Sequence, residues 1–158
     1  MALTKTTVHS PPTQIKTILL VEDNPDQQAL IQLLVDKTFR QTKLVQTTTG
    51  PQALAYLDRC LELGQNLPQL VLLDLYLPER EDGWRVLEGI RSLPAPYNSL
   101  PVIILSSSCE PADIRSAYEH RVTSYLVKPI EPEDWTVFFQ ILKEYWDQTV
   151  ALPGMRLF

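Results

Sequence analysis

Leu70-Val71-Leu72-Leu73-Asp74 decides the fold: four aliphatic residues in a row, closed by a carboxylate. An aliphatic run of this length suits a strand buried on both faces, as in a parallel sheet. The pattern recurs on either side of it. Ile18-Leu19-Leu20-Val21 ends in Glu22-Asp23, Val102-Ile103-Ile104-Leu105 ends in Ser106, and Tyr125-Leu126-Val127 ends in Lys128-Pro129. In open parallel sheets the ligand site lies beyond the carboxyl ends of the strands. Four strands would therefore deliver three carboxylates, one hydroxyl and one ammonium to one edge. That set suits a divalent metal and a phosphoryl group.

Helical patterns fill the intervals. Asn24 is a good N-cap and Pro25 fits the first helical position. The first helix carries Ala29, Leu30, Leu33, Leu34 and Phe39 at helical spacing. Leu44 to Thr48 reads as a second strand. Gly50-Pro51 opens a second helix with Ala53, Leu54, Leu57 and Leu61 on one stripe, and Gly64 is placed to stop it. Leu77 to Gly83 reads as a polar loop and Trp84 to Leu93 as a third helix. Pro111 to Glu119 is a short fourth helix, and Glu131 to about Gln148 the last. Alternating strands and helices predict an α/β fold, a doubly wound five-stranded parallel sheet with helices on both faces.

The chain has 158 residues, 44% hydrophobic and 21% charged, which suits one globular domain. A net charge of -5 argues against a nucleic-acid partner, whose footprint is a basic stripe. No apolar run approaches the ~20 residues of a membrane span, and Met1 to Thr13 lacks the apolar centre of a signal peptide. Cys60 and Cys109 form no CxxC pair, so a disulfide framework is not expected and a reducing cytoplasm is. Residues 1–15 read as a disordered lead-in, 16–149 as the folded domain and 150–158 as a tail.

The strand ends suggest a chemistry. Asp74 can act as a nucleophile and form an aspartyl phosphate. Mg²⁺ takes oxygen ligands and usually one or two carboxylates, which Asp23 and Asp74 could supply, with Glu22 holding a metal-bound water. Lys128 is a point charge able to pair with Asp74 and then with phosphate. Ser106 can donate to a phosphate oxygen. Each residue alone has an ordinary reading: a turn-forming Asp, a loop Ser, a surface Lys. Four strand ends that agree carry the argument.

These pieces resemble the response-regulator receiver domain of two-component signalling. The matching motifs are Val-Glu-Asp-Asn at 21–24, Leu-Leu-Asp-Leu at 72–75, Leu-Pro at 77–78 and Asp-Gly at 82–83. Pro-Val-Ile-Ile-Leu-Ser at 101–106 and Tyr-Leu-Val-Lys-Pro-Ile at 125–130 complete them. The resemblance implies the flavodoxin-like strand order 2-1-3-4-5 and a single-domain regulator with Asp74 as phosphoacceptor. Glu22 and Asp23 would be the acidic pair, and the backbone carbonyl of Tyr76 a further Mg²⁺ ligand. Lys128 would be the site lysine, followed by Pro129 in a cis peptide. Ser106 would be the switch hydroxyl and Tyr125 the switch aromatic, whose ring moves inward when Ser106 turns toward phosphate. The phosphodonor would be a sensor histidine kinase. The module would be a switch, not a turnover enzyme.

A narrower resemblance, carried by Val-Glu-Asp-Asn-Pro, the enlarged loop at 93–100 and the ending Tyr-Trp-Asp-Gln-Thr-Val-Ala-Leu-Pro, is to stand-alone regulators that partner bacterial phytochromes. It implies a homodimer, for which the last strand, the last helix and the tail residues Leu152, Met155, Leu157 and Phe158 offer apolar surface. Tyr76 and Ser108 lead us to expect a long-lived phosphate, since Tyr76 would place a large ring near the path of an in-line water and Ser108 offers no acid or amide to orient one. Two other classes stay in view. A haloacid-type hydrolase would want a second Asp where Tyr76 stands, and an unphosphorylated pseudo-receiver scaffold would typically lack one of the acidic residues, the acceptor or the lysine.

Overall fold

Alternate residues of each central strand face opposite ways, and that alternation builds two hydrophobic layers. The structure, a computed structural model, describes residues 16–149. Its strands are β1 (Thr17–Val21), β2 (Lys43–Thr47), β3 (Leu70–Leu73), β4 (Val102–Ser106) and β5 (Ser124–Val127). They are all parallel, in the order β2-β1-β3-β4-β5. The helices are α1 (Pro25–Thr38), α2 (Gly50–Glu62), α3 (Arg80–Arg91), α4 (Pro111–Glu119) and α5 (Pro132–Thr149), with a 3-10 turn at Tyr97–Ser99. Leu19, Val21, Val71, Leu73 and Ile104 join Leu57, Leu87 and Ala117 from α2, α3 and α4. Ile18, Leu20, Leu72 and Leu105 join Ile31 and Leu34 of α1 and Trp135 and Phe139 of α5. The doubly wound sheet and its strand order agree with expectation.

Several local expectations need correction. On α1 the buried stripe is Ile31, Leu34 and Val35, while Ala29 and Leu33 are exposed; the helix faces the sheet about one position away from the assumed stripe. The polar segment before Trp84 is not all loop. Helix α3 begins at Arg80, because the Asp82 carboxylate accepts the Glu79 backbone N–H at 3.1 Å and starts the helix early. Trp84 is half-buried and stacks on His120 with ring centroids 4.8 Å apart. Pro129 is not preceded by a cis bond: among the described residues the cis peptides are Leu77–Pro78 and Ala95–Pro96. Trans is the ordinary isomer of an X–Pro bond.

Two glycines are required by the backbone. Gly64 adopts φ 64° just past α2, where side chains are disfavoured. A Cβ on Gly83 would lie 2.2 Å from the Leu75 carbonyl oxygen, so only glycine lets α3 press against the chain leaving β3. No helix among the described residues is long and apolar enough to cross a membrane. The lead-in 1–15 and the tail 150–158, with Leu152, Met155, Leu157 and Phe158, lie outside the described residues.

Candidate functional site

The carboxyl edge of the sheet gathers the strand-end residues because the parallel ladder runs on into them. The Asp74 N–H bonds the Val21 carbonyl at 2.9 Å, the Glu22 N–H bonds Thr47 at 3.1 Å, and the Lys128 N–H bonds Ser106 at 2.8 Å. Each side chain thus leaves a fixed backbone. Asn24 caps α1 by accepting from Asp26 and Gln27, and its own N–H donates to Glu22 Oε1 at 3.1 Å. The turn carrying Glu22 and Asp23 is held in place by that cap.

Glu22, Asp23 and Asp74 each present a carboxylate oxygen within 4.8 Å of the others. Glu22 is 2% exposed and Asp74 8%, whereas Asp23 faces solvent. Lys128 Nζ donates to Glu22 Oε2 at 2.9 Å and to Asp74 Oδ2 at 3.2 Å, and also to Gln27 Oε1. The Tyr76 backbone N–H donates to Asp74 Oδ1 at 3.3 Å. Burial, then the Asp74 charge, pushes the Glu22 carboxyl up to about 7 against the pull of Lys128. One ammonium does not balance three carboxylates. Hard oxygen donors with too little positive charge among them fit a divalent cation such as Mg²⁺.

Ser106 and Tyr125 are one step away and meet at Ser108. The Ser108 N–H donates to Ser106 Oγ at 3.1 Å, and the Tyr125 hydroxyl donates to the Ser108 carbonyl at 2.7 Å. Ser106 is fully buried and the Tyr125 ring is already buried.

Sequence reasoning missed two contributors. Gln27 lies in the first turn of α1, where its type gives no signal. Asp113 in α4 is 1% exposed and accepts three side-chain donors. These are the Ser108 hydroxyl at 2.6 Å, the Tyr76 hydroxyl at 2.8 Å and the Arg80 guanidinium at 2.5 Å. Burial pushes the Asp113 carboxyl up, but the hydrogen bonds from Ser108, Arg80 and Tyr76 outweigh it and hold it below its ordinary value. The same bond raises the Tyr76 phenol.

Residues 18–139 match the response regulator receiver domain. The chain is 38% identical over 137 residues to the probable methanogenesis regulatory protein FilR2 of Methanothrix harundinacea, covering 87% of each. It is 34% identical over 140 residues to response regulator Rcp1 of Synechocystis, covering 88% of this chain and 94% of Rcp1. The crystal structure of Mn²⁺-bound Rcp1 superposes with a TM-score of 0.75 over 88% of this chain and 99% of that one, at 33% identity. The phosphorylated cyanobacterial phytochrome response regulator RcpA gives 0.77 over 89% and 99%, at 34% identity. The chain belongs to the response regulator receiver family, whose members are signalling switches and not turnover enzymes, and it resembles the phytochrome response regulators within it.

Proposed function

We propose that this receiver domain accepts a phosphoryl group on Asp74 from a sensor histidine kinase and signals through protein contacts. The observation that carries the reading is the buried Asp74 facing Glu22, Asp23 and Lys128 within one pocket. An Asp74 oxygen forms the new O–P bond. The bond from phosphorus to the donor breaks, and its electron pair leaves with the imidazole of a phosphohistidine or the acetate of acetyl phosphate. Lys128 holds the Asp74 carboxylate at rest and can follow the charge to the phosphoryl oxygens. Glu22, Asp23, Asp74 and the Tyr76 carbonyl are the ligands we assign to Mg²⁺, which when bound supplies positive charge to the phosphoryl oxygens. Ser106 and Tyr125 are the switch pair. The Ser108 and Tyr76 hydroxyls are both committed to Asp113, which favours slow hydrolysis because neither is free to orient a water.

Incubation with acetyl phosphate and Mg²⁺, followed by intact-mass measurement, should show one added phosphoryl group in the wild type and none in Asp74→Asn. Retention of the group in Asp74→Asn overturns the assignment. A wild type that stays unlabelled would favour the alternative, an unphosphorylated pseudo-receiver acting as a binding scaffold.

The kinase we assign is of phytochrome type and the setting cytoplasmic, on the likeness to Rcp1 and RcpA. Phosphotransfer from a purified phytochrome histidine kinase, compared with one from an unrelated pathway, tests this. We also propose a homodimer. Val137, Ile141 and Tyr145 form a four-residue-spaced exposed stripe on α5, with Ile130 at 94% exposure and Val127 on the edge strand β5. An apolar face next to a sheet edge suits a second copy related by a two-fold axis. Sedimentation of the full chain should give a dimer and Ile141→Glu a monomer; a monomeric wild type at tens of micromolar removes the dimer.

A further inference from the structure

Ser108 is gripped at every polar group it has. Its N–H donates to Ser106 Oγ, its carbonyl accepts from the Tyr125 hydroxyl, and its hydroxyl donates to Asp113 Oδ2. The first two partners are the switch pair assigned above. The third is a carboxylate 1% exposed, anchored in turn by Tyr76 and Arg80 from the other side of the pocket. Acidic residues in the first turn of a helix are common because the helix dipole favours them. Such residues ordinarily face water, and this one is buried under donors from the segment after β3, from α3 and from the segment after β4.

We propose that Asp113 is a positioning residue that fixes Ser108 and, through the Ser108 carbonyl, holds the Tyr125 ring inward before any phosphoryl group is present. The proposal rests on the reading of Ser106 and Tyr125 as the switch pair. Asp113 does not touch the acceptor. It acts through Ser108 on one side and Tyr76 on the other, whose backbone N–H meets Asp74. A phosphoryl group can shift a two-state equilibrium only by its differential interaction with the two states. Where the inward state is already dominant, phosphorylation of Asp74 moves the ring little and instead locks it. Without the Asp113 anchor Ser108 keeps only its bonds to Ser106 and Tyr125, the inward state is less favoured, and phosphorylation then moves the ring more.

The experiment uses the full chain labelled with 3-fluorotyrosine. Its six tyrosines give six fluorine signals, and Tyr125→Phe identifies the relevant one. A soluble paramagnetic agent then reads the exposure of Tyr125 in wild type, Asp113→Asn, Ser108→Ala and Ser108→Thr, metal-free and after acetyl phosphate with Mg²⁺. The metal-free wild type should show Tyr125 protected and nearly unchanged by phosphorylation. Ser108→Ala keeps the carbonyl and loses only the anchoring hydroxyl, so the outward population should rise about fivefold, the shift that one lost hydrogen bond produces. Ser108→Thr should restore protection, and phosphorylation should restore it in Ser108→Ala. A freely accessible Tyr125 in the metal-free wild type overturns the proposal, as does equal protection in wild type and both anchor variants. Failure of every protein to take up a phosphoryl group would overturn the acceptor reading, while the metal-free comparison still decides this one.

Discussion

Glu22 and Asp113 are two buried carboxylates on the same edge of one sheet, and their surroundings push them in opposite directions. Glu22 shares a single ammonium with Asp74, with Asp23 alongside, and its carboxyl rises to about 7. Asp113 has two hydroxyls and a guanidinium to itself, and its carboxyl is held down despite burial. The pair separates two meanings of a buried charge. An acid whose donors are all supplied by the chain is finished structure. An acid with too few donors is a place where the chain has left charge for something else to balance. The first should cost stability when removed, and the second should yield it.

The largest expected effect breaks the finished cluster. Asp113→Ala leaves the Ser108 and Tyr76 hydroxyls without their acceptor and should cost about 2–3 kcal/mol in urea unfolding, in the range for hydrogen bonds to charged groups. A neutral result would mean that the cluster is no more settled than the acidic pocket. Next comes the missing charge itself. A ligand that binds only the folded state stabilises by about 2.7 kcal/mol at 100 times its Kd. Mg²⁺ should therefore raise the unfolding midpoint of the wild type and have little effect on Asp23→Ala, which removes one of the ligands we assign to it. Equal stabilisation of both would place the ion elsewhere.

A smaller effect has the opposite sign. Asp74→Asn removes one of three crowded carboxylates and leaves Lys128 to Glu22 and Gln27. The metal-free variant should be more stable than the wild type by about 1 kcal/mol, as when function holds a site away from its stability optimum. It should at the same time lose all labelling by acetyl phosphate. A less stable Asp74→Asn would show that Lys128 needs both carboxylates and that the pocket is balanced after all.

The contrast between the two regions was only half legible in the sequence. Asp74, Glu22, Asp23, Ser106 and Lys128 each end an aliphatic run, and a parallel sheet turns that shared position into proximity. The doubly wound sheet and most helices followed from the same periodicity, whereas the strand order came from the family resemblance and agrees with the observed one. The start of α3 was missed although Glu79 and Asp82 carry a start signal, because the surrounding Pro-Glu-Arg-Glu-Asp-Gly has the composition of a loop. Asp113 carried no signal at all. Its donors Tyr76 and Arg80 lie 37 and 33 residues away, and only the approach of α4 to the segment after β3 and to the start of α3 brings them together. The α5 aromatics divided as one helix face allows: Trp135, Phe139 and Trp146 are buried, Phe138 is half-buried, and Tyr145 is exposed.

The smallest effect tests whether the cluster acts as a unit. Tyr76→Phe removes one hydroxyl from Asp113 and leaves the backbone N–H on Asp74. Tyr76 is half-open to solvent, and Ser108 still donates to the same Oδ2 atom, so water and Ser108 cover most of the loss. The cost should be near the low end for a hydrogen bond, about 0.5 kcal/mol. The informative number is the coupling. With both donors gone, in Tyr76→Phe with Ser108→Ala, Oδ2 loses both of the side-chain donors that reach it among the described residues. The double variant should then lose more than the sum of the single ones, by about 0.5–1 kcal/mol, as residues sharing one partner do. Strict additivity in unfolding would mean that Asp113 holds its donors independently. The two sides of the pocket would then not be joined through it, and the difference from Glu22 would be one of charge alone.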